Sequence, residues 1–175
     1  DYLGAGHDIG VKVRTSSNSL SSIGENTISG AGLDAKKIEA SRFLFQAAFG
    51  GNIEEINSLS KTLDFEGWIE NQFNEPMTLL NPKLWEVDAR ARELHRAQSN
   101  DDYFGPYSVH FQFAWWDNNY KAPDQLRQRI AFALSQIAVI SSNSQIGDFG
   151  EGLASYYDIL IRNAFGNYED VPNSP

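Results

Sequence analysis

His7, His95 and His110 are the residues of this chain best suited to proton transfer or metal ligation near neutral pH. They lie in three separate stretches, and no His-x-x-x-His or Glu-x-x-His pair sets two ligands on one helical face. No metal site and no cofactor is expected. One acid–base group is conceivable: His110 with Asp117 and Arg127, provided the elements that carry them fold face to face. Otherwise His110 is a histidine satisfied by the backbone beside an aromatic core. The stretch "GAGHDIG" (4–10) has the glycines of a phosphate loop without the Lys-Ser/Thr or the helix start that should follow. There is no Gly-x-Ser-x-Gly elbow, and the carboxylates are scattered without a dyad. The residues assign no catalytic role.

Two further sets are candidates for binding or clamping. From Tyr103 to Tyr120 the chain is dense in rings, among them Trp115, Trp116 and Tyr120. Exposed, they would make a platform for a sugar or a peptide; a stripe this dense is expected to be core. The second set is Arg127, Arg129, Asp158, Arg162 and Asn163, on two apolar stretches. A buried guanidinium cannot shed its charge, so Asp158 or another acid is expected beside Arg127 or Arg129 as a structural clamp. The same set could orient a substrate carboxylate.

The elements that must position these residues read as helices. "DQLRQRIAFALSQIAVIS" (124–141) has Leu126, Ile130, Leu134, Ile137 and Ile140 at helical spacing and is apolar nearly all round. Its apolar run is too short to span a membrane, so it is expected at the centre of a multi-helix bundle. Asp34 can cap a helix with Ile38, Phe43, Phe45 and Phe49 that stops at Gly50-Gly51. Asn52 and Glu55 stand in capping-box positions for the next, with Ile53, Ile56 and Leu59 inward. "DFEGWIENQF" buries Phe65, Trp68, Ile69 and Phe73. A mostly polar helix from about Pro82 to Gln98 is anchored by Leu84, Trp85 and Leu94. The segment 107–120 fits strand and helix equally on periodicity. A last helix, 150–165, turns Leu153, Tyr156, Tyr157, Leu160, Ile161 and Ala164 inward and leaves apolar surface over. An uncovered patch is therefore expected beside Leu153, Tyr157, Ile159, Ile161 and Phe165, open to a downstream segment or a second chain.

The fold class is thus all-α, a helical domain over 34–170. An extended Gly/Ser-rich arm (1–33), with "VKVRT" alternating like a short strand, precedes it, and a tail (171–175) follows. A net charge of −9 argues against nucleic acid or an anionic membrane as partner. With no cysteine, neither disulfides nor thiolate metal sites can form.

Four blocks, "ASRFLFQAAFG", "WIENQF", "APDQLRQRIAFALSQIAVIS" and "YYDILIRNAFGNYED", follow one another in the order and spacing of bacterial domain-of-unknown-function family 1800, and nearly the whole chain resembles that family. The leader "DYLGAGHDIGVKVRTSSN" resembles its Bacteroidetes branch. The resemblance implies a largely helical fold, a secreted or cell-surface location and no agreed activity. It also implies that this is the N-terminal part of a larger protein, and it turns 107–120 toward helix. The expected function is a scaffold or binding domain. Its partner would be a protein or the remainder of its own chain, with carbohydrate or peptide as possible ligands. The alternative is the N-terminal half of a secreted hydrolase with most catalytic residues downstream.

Overall fold

The computed structural model describes residues 34–98, 103–140 and 149–167. The arm 1–33 with its expected strand and the tail 171–175 lie outside the described residues. Among the described residues the fold is all-α: α1 (Ala35–Ala47), α2 (Ile53–Thr62), α3 (Phe65–Asn74), α4 (Leu80–Ala97), α5 (Ser108–Lys121), α6 (Gln125–Ser135) and α7 (Gly150–Arg162). The ambiguous aromatic segment is α5, a helix.

Local chemistry starts the first two helices as the sequence predicts. Asp34 accepts from the Lys36 amide at 2.9 Å. Asn52 and Glu55 form the reciprocal capping box, with Asn52 accepting from the Glu54 and Glu55 amides and Glu55 from the Asn52 amide. The faces those helices bury differ from the expected ones. On α1 the inner line is Ala40, Leu44 and Ala48, while Phe45 is exposed. Small side chains at four-residue spacing let α2 come close, which larger rings would prevent. Ile53, Phe73, Trp85 and Leu94 are likewise exposed, and Leu59 and Gln72 take the inward positions on α2 and α3. Gly51 keeps the α1–α2 turn tight, because a β-carbon there would run into the Leu44 side chain.

The main core gathers on α7. Ala154, Tyr157, Leu160 and Ile161 pack with Leu80 and Leu84 of α4, Ala114 of α5 and Ala131 of α6. Helix α6 is shorter and less enclosed than its composition suggests. It ends at Ser135 instead of running to 141, and Ile137 and Val139 are exposed beyond it. The Ser135 hydroxyl donates to the Phe132 carbonyl at 2.7 Å, a local bond that competes with helix continuation. The most buried side chains of α6 and its cap are Asp124, Arg127, Gln128 and Ala131. This helix packs against α1, α3, α5 and α7, while the main apolar core gathers on α7.

Part of the surface expected beside the last helix is covered, and Leu153, Tyr156 and Tyr157 line an open apolar recess with Phe111, Trp115 and Val139. Tyr157 and Ile161 are buried and Leu153, Ile159 and Phe165 are half-buried, because α4, α5 and α6 all pack on α7. Phe165 closes its end by an edge contact with Phe73, centroids 4.6 Å apart.

Candidate functional site

More open apolar surface lies on α5. Phe113, Trp116 and Tyr120 are 63%, 67% and 84% exposed, and Val109 stands in line with them. The spacing 109, 113, 116, 120 makes one stripe along a helix. The opposite face, His110, Ala114 and Asn118, is buried. Burial of the whole aromatic set is thus overturned: Phe111 and Trp115 join the core, and the other stripe stays out. A helix bearing rings on both sides can give only one side to its neighbours. Beside the stripe, Val87, Ala91 and Leu94 of α4 repeat the same spacing, and the two rows border a groove of about 740 Å³.

A salt bridge pins the groove walls together. Asp117 accepts from Lys83 of α4 at 2.7 Å and from Lys121 at 2.5 Å. Hydrogen bonds from Lys121 and then Lys83 hold its carboxyl below the usual range. At the other end of the groove His110 enters a buried polar cluster. Tyr103 donates its hydroxyl to Asp88 at 2.5 Å, and Arg92 donates its Nε to the same carboxylate at 2.6 Å. The His110 ring lies 3.4 Å from the Tyr103 hydroxyl, and its Nδ1 accepts from the Tyr107 amide at 2.9 Å. That bond fixes Nδ1 as the unprotonated nitrogen, and burial pushes the His110 pKa below its ordinary value. Burial and then Asp88 push the Tyr103 hydroxyl up, so it stays a donor. Gly105 fits here because a β-carbon would strike Tyr103 and Asp88. Asp88, Arg92 and Tyr103 engage one another as a structural lock, and beside them the His95 ring, 4.8 Å from that of Tyr103, has a buried Nδ1 without a hydrogen-bond partner.

His110, Asp117 and Arg127 do not converge. The first two face different partners two turns apart on α5. Arg127 is on α6, its Nε 3.6 Å from Asp124 Oδ2 and its guanidinium 4.2 Å from the centre of the Phe165 ring. The acid expected beside Arg127 or Arg129 is thus Asp124 and not Asp158. Asp158 turns to α4 and accepts from the Leu80 amide at 2.6 Å and the Asn81 amide at 3.3 Å. It caps a helix whose own N-cap position, Leu79, offers no side-chain bond. Arg162 is exposed, but its charge acts on Asp158; burial still raises the Asp158 pKa. Arg129 lies over the rings of Phe49 and Phe132. Asn163 donates to the Ile159 carbonyl at 2.8 Å. Arg127 does join α6 to the end of α7, through a ring and not a carboxylate.

Sequence reasoning missed Asp88, Arg92 and Tyr103, and also Gln72 and Gln128. Gln72 accepts from the Leu126 amide at 2.9 Å and donates to the Pro123 carbonyl at 3.0 Å, so α3 caps α6. Gln128 donates to the Thr78 carbonyl at 2.8 Å. Their one visible signal is four-residue spacing, Asp88 to Arg92 and Asp124 to Gln128, the reach of one helical turn.

Among the described residues no group of three or more acidic or histidine side chains is placed to hold a metal ion, and no helix is long and apolar enough to cross a membrane. No curated protein and no solved structure matches the chain. The family model described as "Protein of unknown function (DUF1800)" matches residues 42–173, a span that contains the groove, the locked cluster and all of the described helices after α1, and the chain belongs to that family.

Proposed function

We propose that this chain is a binding domain of a secreted or cell-surface bacterial protein, and that the α4–α5 groove takes an amphipathic helix from a partner polypeptide. The observation that carries the proposal is the exposed stripe Val109, Phe113, Trp116 and Tyr120 beside Val87, Ala91 and Leu94. Large rings in a row are rarely left in water without a use. Two helices that both repeat apolar residues every three or four positions present the ridges into which a third helix packs. The groove runs along α5 from His110 to Tyr120, roughly 15 Å at 1.5 Å per residue, which matches about three turns of a partner. The location outside the cytoplasm is what the family resemblance implies. Binding is preferred to hydrolysis because His110 and Asp117 border the groove two turns apart with separate partners, and Arg127 lies outside it.

Titration of the chain with a 14-residue amphipathic peptide, leucines at i, i+3, i+4 and i+7, tests the reading through tryptophan emission. A blue shift that the scrambled peptide does not produce, and that Phe113→Asp abolishes, is expected. Equal response to the scrambled peptide, or an undiminished response from Phe113→Asp, overturns it.

A further inference from the structure

A second recess has the opposite character. It lies where the α1–α2 turn, α3 and the α5–α6 connection meet, on the far side of Tyr120 from the groove, and has a volume of about 430 Å³. We infer that this cleft binds a neutral oligosaccharide, a site separate from the helix-binding groove.

The argument starts from what the cleft excludes. Its two charged side chains are already engaged. Glu55 accepts from the Asn52 amide in the capping box, and Lys121 is held by Asp117. Each charge of the cleft is thus already paired, which disfavours phosphates, carboxylates and amines as ligands. Amides and backbone groups dominate the remaining surface, which removes aliphatic ligands, since burying those groups unpaired is costly. A ligand dense in hydroxyls is what remains, because each hydroxyl both donates and accepts as an amide does.

Two features then point to a sugar. Gln125 is fixed by donating its Nε2 to the Asn119 carbonyl at 2.9 Å and to the Ala122 carbonyl at 2.7 Å, so its Oε1 is a preorganised acceptor. Asn119, 2% exposed, is likewise fixed, donating its Nδ2 to the Trp115 carbonyl at 2.8 Å. Aromatic rings also border the cleft. Trp68 is held edge-on by Phe43, centroids 5.2 Å apart, while Tyr120 stands free at the rim. Pyranose rings present C–H faces that stack on such rings while their hydroxyls turn to amides. Fixed amides and aromatic walls in one recess are the combination that sugar recognition needs.

Isothermal titration of the chain with neutral hexasaccharides of β-glucose, β-xylose, α-glucose and N-acetylglucosamine tests the inference. At least one is expected to bind. Tyr120→Ala should weaken it about tenfold, the size of a lost aromatic contact. Tyr120→Phe should restore it, and Gln125→Leu should weaken it with the helical circular dichroism unchanged. Tyr120 is exposed enough that its truncation leaves the fold intact, so the result is readable if Gln125→Leu proves unstable. Failure of all four sugars to bind overturns the inference. So does tighter binding of an anionic uronate hexamer, or wild-type affinity in Tyr120→Ala.

Discussion

Helices α6 and α7 are similar in length and both rich in aliphatic residues, yet α7 carries the main apolar core while α6, packed against four other helices, buries Arg127 and Gln128. What each helix presents to its neighbours matters more than its apolar count. On α7, Gly150, Ala154 and Asp158 put small or short side chains at four-residue spacing, and α4 and α5 approach closely there. A β-carbon at Gly150 would meet the Tyr107 carbonyl, so even one methyl would push the neighbouring chain away. Helix α6 has Arg127 and Gln128 where α7 has Leu160 and Ile161, and it offers polar bonds to α3 and to the Thr78 segment. One helix holds the fold by packing; the other is a polar seam.

The sharpest way to break this comparison is truncation at the deepest point. Leu160→Ala should destabilise the chain by about 2–5 kcal/mol in denaturant titration, since Leu160 is fully enclosed and its neighbours can close the cavity only in part. A loss under half a kilocalorie would mean that the main core does not gather on α7. Asp158→Ala should cost about 1–3 kcal/mol by orphaning the buried Leu80 amide. Leu134→Ala, on half-buried α6, should cost about 1 kcal/mol, reflecting the smaller apolar area it hides. If Leu134→Ala equals Leu160→Ala, the two helices are not different in kind.

Acid offers a finer comparison. The lowered His110 pKa means that its neutral form is favoured in the folded state, a stabilisation fully present above the ordinary value of 6.5. It is lost as pH falls from 6.5 toward the folded value, because a protonated Nδ1 would face the Tyr107 amide donor to donor. Amide exchange should therefore rise below pH 6.5 first at the α5 start, which the Tyr107–Phe149 bridge ties to α7, and later in α6. Uniform acceleration would count against this. The smallest effect is expected from Ile137→Ser beyond α6, within about 0.5 kcal/mol of zero, as for other exposed sites.

Much of the fold was legible because its signals are local. Asp34, Asn52 and Glu55 cap their own helices, and the all-α class follows from helical spacing. What stayed hidden depends on distant partners. Nothing near Asp158 reveals that it meets Leu80 and not Arg127, and nothing in the ring-rich segment reveals which side of α5 its neighbours cover. The three proposed acid–base residues could be found by type, but their separation is a property of helix packing alone. Asp88 and Tyr103 are 15 residues apart in sequence, and only the fold brings their oxygens to 2.5 Å.

The borrowed caps also bear on how the chain acquires its shape. The first amides of α4 are satisfied by a side chain 78 positions later, and the Leu126 amide of α6 by one 54 positions earlier. A peptide copied from either helix would carry its amide donors into water and fray from the front. Each helix is completed only when its distant partner docks, so ordering of secondary structure and docking become a single event. Closing loops that long is slow relative to forming a helical hairpin. Refolding should therefore show α1 and α2 gaining exchange protection early, with α4, α6 and α7 protected later and together.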